Sequence, residues 1–89
     1  MVSLCSGAFE KLMHHSARLR AQARFQQAIE LVESNLPTLD DDCLENSYLE
    51  LIYAAREGGR PEVAQKYARL LAAIDPDIPG VKQVLGENP

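Results

Sequence analysis

Shifting the chain 36 residues along itself without a gap lays ARFQQAIELVES (23–34) over GRPEVAQKYARL (59–70). An internal period of this length marks a supersecondary unit used twice. Arg24 falls on Arg60 and Ala28 on Ala64. Carried backward, the same shift puts Leu12 on Tyr48, Met13 on Leu49 and Arg20 on Arg56. The match runs through both halves of each unit, so residues 6–35 read as a pair of helices rather than one rod.

Apolar spacing identifies the unit as helical. Phe25, Ala28, Ile29, Val32 and Leu36 recur at steps of three and four and form one stripe of a helix that Leu36-Pro37 stops. Leu44, Tyr48, Leu51, Ile52 and Ala55 repeat the pattern after Asp40-Asp41-Asp42, where Asp42 is expected to cap and Glu45 to reach back to it. Gly58-Gly59 ends that helix, and Pro61 suits the first turn of the next because its missing N–H is not needed there. Ala64, Tyr67, Ala68, Leu71 and Ile74 line one side of this next helix, and Asp75-Pro76 closes it. A short final helix is expected from about Pro79 to Leu85, with Val81, Val84 and Leu85 covering the preceding pair. Upstream, Phe9, Leu12, Ser16, Leu19 and Ala23 give a weaker stripe over residues 6–22.

Eighty-nine residues, 46% apolar and 25% charged, suffice for one all-α domain and exclude a large enzyme. Nine basic against thirteen acidic residues leave a net charge of −4, which argues against a nucleic-acid partner. The charge is uneven, however. Lys11, Arg18, Arg20 and Arg24 follow one another with no acid between them, but they distribute around a helix and lack exposed aromatics among them. No apolar run approaches a bilayer span, and the start lacks a secretion pattern, so a cytoplasmic protein with no membrane partner is expected. Cys5 and Cys43 fit no metal spacing and are expected as reduced, packed thiols.

The sequence resembles the tetratricopeptide repeat family, whose unit is a helix pair with a large residue early in the first helix and a small one early in the second. Tyr48, Leu51, Ala55, Gly59, Ala64, Ala68 and Pro76 carry the pattern in the second unit. Leu12, Leu19, Ala23, Phe25, Ala28 and Val32 carry it in the first. The first unit departs from it: His15 and Ser16 stand where large and small apolar residues are usual, the turn glycine is missing, and the unit ends in PTLDDD. The period also exceeds the family's usual length of about 34. The resemblance implies antiparallel helix pairs stacked as a short α-solenoid: unit one at about 8–39, an acidic connection at 40–42, unit two at about 43–76 and an end helix at about 79–85. Because about three repeats normally stabilise such a stack, a homodimer or a stabilising partner is expected.

Leu49 and Tyr53 need a separate explanation, since they point roughly 100° away from the Tyr48–Ile52 stripe. In the family that this chain resembles, the first helix of each pair lines a concave groove. The resemblance therefore implies a protein-binding set of Met13, Ala17, Arg20, Asn46, Leu49, Tyr53 and Arg56, with Glu10 beside it. Arg20 and Arg56 occupy equivalent turns and together suit a carboxylate-bearing segment. The family's carboxylate clamp needs Lys and Asn at places held here by Met13, Ala17, Leu49 and Tyr53. An apolar peptide or helix fits the groove better.

No other constellation points to chemistry. His14-His15 are adjacent and cannot chelate one ion in the i,i+4 manner, and the three Asp residues with Glu45 lack the glycine of a calcium loop. Ser6, Ser16, Cys5 and Cys43 sit in no nucleophile motif, and no phosphate-binding glycine loop occurs. The expectation is a non-enzymatic adaptor or small chaperone that needs no cofactor or metal and binds a protein segment. Two alternatives are a structural subunit of a homo-oligomeric helical assembly and a protein like the small chaperones of type III secretion needle subunits.

Overall fold

The computed structural model describes residues 7–39, 41–75 and 77–86. Cys5, Ser6, Asp40 and Pro76, used in the reading above, lie outside them. The described residues are all-α: α1 (Gly7–Ala21), α2 (Phe25–Asn35), a 3-10 turn (Leu36–Thr38), α3 (Asp41–Glu57), α4 (Pro61–Ile74) and α5 (Pro79–Gly86). Each helix packs on the next, and α1 also lies against α3. Two hairpins, α1/α2 and α3/α4, thus stand side by side with α5 resting on α4.

The chain reverses direction twice by the same device. After α1, Ala23 takes the left-handed conformation at φ +61°, its amide donates to the Arg20 carbonyl (2.9 Å), and the Arg24 amide donates to the Leu19 carbonyl (2.8 Å). After α3, Gly59 takes φ +71°, its amide donates to the Arg56 carbonyl (3.3 Å), and the Arg60 amide donates to the Ala55 carbonyl (2.7 Å). Every one of these partners is related by the shift of 36. Both turns are Schellman ends, in which a left-handed residue lets its own amide and the next one satisfy carbonyls that the helix leaves open. The first unit makes its turn without the glycine, so Ala23 carries a conformation that an L side chain disfavours.

A second glycine is needed for closeness. A Cβ on Gly58 would stand 2.6 Å from the Phe25 Cβ and 3.0 Å from the Ala54 carbonyl oxygen, so the end of α3 meets the start of α2 only because Gly58 has none. The core then fills from α2 (Ala28, Ile29, Val32), α3 (Leu51, Ile52, Ala54, Ala55), α4 (Ala64, Tyr67, Ala68, Leu71) and α5 (Val81, Val84). Ala28 and Ala68 are fully enclosed, which lets neighbouring axes approach to about 8–10 Å. Tyr67 stacks on Tyr48 with ring centroids 5.6 Å apart and donates its hydroxyl to Glu33 Oε2 at 2.5 Å, tying α4 to both α3 and α2.

Two expectations need correction. Helix α3 begins at Asp41, so Asp42 is already inside it and does not hold the cap position. Cys43 is not a reduced thiol: it is buried and disulfide-bonded.

Candidate functional site

Helices α1 and α3 are joined by a polar network rather than by apolar contact alone. Ser16, fully buried, donates to Glu50 Oε2 at 2.7 Å. Arg20, one turn further along α1, donates to Glu50 Oε1 at 2.7 Å and to Glu57 Oε1 and Oε2 at 3.1 and 3.3 Å. Ser16 and Arg20 are four residues apart, and Glu50 and Glu57 are seven apart, so each pair shares one helix face and the two faces meet. Burial lowers the basicity of the Arg20 guanidinium, yet the hydrogen bonds and charges of Glu50 and Glu57 together outweigh it and hold its pKa above the ordinary value. The serine that departs from the family pattern therefore has a partner, and the buried carboxylate is satisfied from two sides.

Tyr53 sits at the edge of this network. The residue is 43% exposed, and the Arg20 guanidinium lies 5.7 Å from the ring centroid, within the range of a cation–π contact. Of the other residues expected in a groove, Asn46 and Ala17 are exposed, while Met13 and Leu49 are half-buried and pack against the core. Glu10 is exposed as well.

Arg20 and Arg56 do not act as a pair. Arg20 is committed to Glu50 and Glu57, whereas Arg56, half-buried at the end of α3, forms part of the wall of a cavity. This cavity has a volume of about 370 Å3 and is lined by Arg56, Gly59, Arg60, Pro61, Ala64, Gln65 and Val84. It lies at the turn between α3 and α4, with α5 on its far side. Of the seven expected groove residues, only Arg56 lines it.

Sequence reasoning assigned no site role to Glu50, Glu57, Arg60 or Val84. A signal existed for Arg60, which the shift of 36 pairs with Arg24. For Glu50 the clue lay in its place on the buried side of α3, where an acid needs a partner. His14 and His15 are both exposed, and among the described residues no three His, Cys, Asp or Glu side chains gather as a metal set. No helix among them is long and apolar enough to cross a membrane.

Comparison of the chain with family models, with curated proteins and with solved structures finds no match.

Proposed function

We propose that the chain is a short tetratricopeptide-like stack of two helix pairs with an end helix, and that it works without catalysis as a protein-interaction module. A protein segment docks along the face shared by α1 and α3. The observation that carries this reading is Tyr53, a large aromatic left 43% exposed while a cation fixed by two carboxylates braces its ring. Most exposed aromatics move freely. One held in place loses little entropy on binding and serves as a ready anchor. Ala17 on α1 and Asn46 on α3 are exposed as well, and the cavity at Arg56 begins one helical turn further along α3. The duplicated Schellman turns support the repeat architecture.

The test is capture of binding partners from the native cell by the unaltered chain and by Tyr53→Ala. Leu49 is left intact because it packs against the core. A protein retained by the first and lost by the second, with helicity and melting unchanged, supports docking at this face. Equal retention by both places the interface elsewhere.

A specific observation also favours a homo-oligomeric role. Leu70 and Ile74, four residues apart on α4, are 43% and 50% exposed and form an apolar edge. Sedimentation equilibrium distinguishes the readings: self-association abolished by Leu70→Lys and Ile74→Lys, but untouched by Tyr53→Ala, supports assembly through α4.

A further inference from the structure

We propose that the outer face of α4 pairs with the same face of a second copy of this chain, the two helices running antiparallel about a two-fold axis. Leu70 of each copy lies against Ala73 and Ile74 of the other, and Lys66 of each stands opposite Asp77 of the other. This rests on the homo-oligomeric reading given above and specifies its geometry and the charges that select it.

The first ground is the contrast between the two units, which makes the chain its own control. Val63, Lys66, Leu70, Ala73 and Ile74 follow one another at steps of three, four, three and one, so they share one face of α4. The shift of 36 lays them on Gln27, Glu30, Ser34, Pro37 and Thr38. All five of those are exposed, and none is a large apolar residue. In the second unit the face has turned apolar without being covered: Leu70 and Ile74 are 43% and 50% exposed, Ala73 is exposed and Val63 is half-buried. Folding does not call for this strip, because α2 packs its buried side with polar residues at the same outer positions. Single apolar residues on a surface are ordinary, whereas this strip continues over about three turns of one helix.

The second ground is that the strip fits itself. Val63, Leu70 and Asp77 are seven apart, with Lys66 and Ala73 between them, the spacing by which two helices mesh at a shallow crossing. Let two copies of α4 run antiparallel about a point between Leu71 and Ala72. Leu70 then meets Ala73 with Ile74 beside it, and Lys66 meets Asp77. Ala73 is small enough for the axes to approach to about 8–10 Å. A two-fold contact is made twice, so both charge pairs form together. A parallel arrangement would instead set Lys66 beside Lys66 and Asp77 beside Asp77, like against like.

Both charges are placed to pair. Lys66 Nζ lies 5.0 Å from the Tyr67 ring centroid, a contact through its charge rather than through its N–H donors. The Asp77 side chain is 86% exposed, and its contact with Lys82 is a solvated one at 3.8 Å, of small worth. Helix α4 carries no base in its last turn, so its own side chains do not offset the negative charge at that end. The second copy's Lys66 supplies the missing cation.

The experiment is sedimentation equilibrium on the full chain up to about 1 mM, a range wide enough for a small interface, with filtered NOEs between labelled and unlabelled copies. A monomer–dimer equilibrium is expected, with cross-peaks from the Leu70 methyls of one copy to Ala73 and Ile74 of the other. Lys66→Glu and Asp77→Lys should each weaken association at least about tenfold, since each reversal opposes like charges twice in the dimer. An equal mixture of the two variants should recover the parent's association, and so should the chain that carries both substitutions. Both residues are exposed, so helicity should stay at the parent's value; if it falls, the NOE pattern of the unaltered chain carries the test. Charge reversal without effect, a mixture that stays monomeric, or cross-peaks joining Val63 of both copies overturns the antiparallel pairing. If Leu70→Lys and Ile74→Lys still abolish association in that case, assembly through α4 stands without it. A monomer at every concentration, or association indifferent to Leu70→Lys and Ile74→Lys, overturns both. Growth beyond the dimer overturns the proposal too, because a two-fold contact closes on itself.

Discussion

Replacing Ala23 with glycine should stabilise the protein, against the usual direction of such a change. Ala23 holds φ +61°, where an L side chain costs about 1–2 kcal/mol, while Gly59 holds φ +71° at the equivalent turn with no such cost. Glycine also loosens the unfolded chain, which offsets about 0.4–1 kcal/mol of the gain. Ala23 is exposed and lies between helices, so neither apolar burial nor helix propensity is lost. The balance is about 0.5–1 kcal/mol in favour of Ala23→Gly, or a rise in melting temperature of roughly 2–8 °C for a domain of this size. Gly59→Ala should move the other way by a similar amount. A Cβ there meets nothing within 4 Å, so its penalty is conformational alone. Paired thermal and denaturant melts of both single variants and of the double variant measure the effect, and the double variant should return to within about 0.5 kcal/mol of the parent. Destabilisation by Ala23→Gly, with Gly59→Ala behaving as described, would refute the equivalence of the two turns.

Glu50→Gln removes the charge shared by Ser16 and Arg20 and should lower stability by about 1–3 kcal/mol, whereas Glu57→Gln, at a carboxylate 46% exposed, should lower it by less than about 1; urea melts compare them. Gly58→Ala drives a Cβ toward the Phe25 Cβ, which cannot swing aside, and should destabilise by about 1–3 kcal/mol; Phe25→Ala does not relieve this clash because it keeps the Cβ. Tyr67 is pushed well above the ordinary tyrosine range, by burial first and then by its hydrogen bond to Glu33. Its contribution is thus complete below about pH 10, the value of an unfolded tyrosine, and is lost as pH rises beyond it. Denaturant midpoints measured from pH 8 to 11.5 should fall at the alkaline end, and Tyr67→Phe should flatten that fall while lowering stability at pH 8 by about 1 kcal/mol. Thiol titration of the denatured chain should find Cys43 unreactive until a reductant is added, and a free Cys43 thiol would contradict the buried disulfide.

Local rules made most of the fold legible. The α3–α4 turn could be read directly because Gly58, Gly59 and Pro61 each have one conformational use, and the structure places a helix end, a left-handed residue and a first helical position there. The α1–α2 break had no such punctuation and became visible only through the shift of 36. The candidate site was less legible, for a different physical reason. Apolar periodicity says which side of a helix is buried, but not which charges find one another across helices. Arg20 and Arg56 are equivalent along the chain and diverge because α3 presents Glu50 and Glu57 to the first, whereas the second faces a turn. The Cys43 linkage was missed because cysteine spacing alone does not tell a packed thiol from a bridged one.

The bridge from Ser16 and Arg20 to Glu50 runs directly between α1 and α3 and so fastens one hairpin to the other. Any sliding or splaying of one hairpin against its neighbour must tear that fastening, which stiffens the amino-terminal two-thirds of the molecule. Helix α5 rests chiefly on α4. Breathing motions should therefore concentrate at the carboxyl-terminal end, around the cavity wall formed by Val84, and protection against amide exchange should fade from α3 outward to α5.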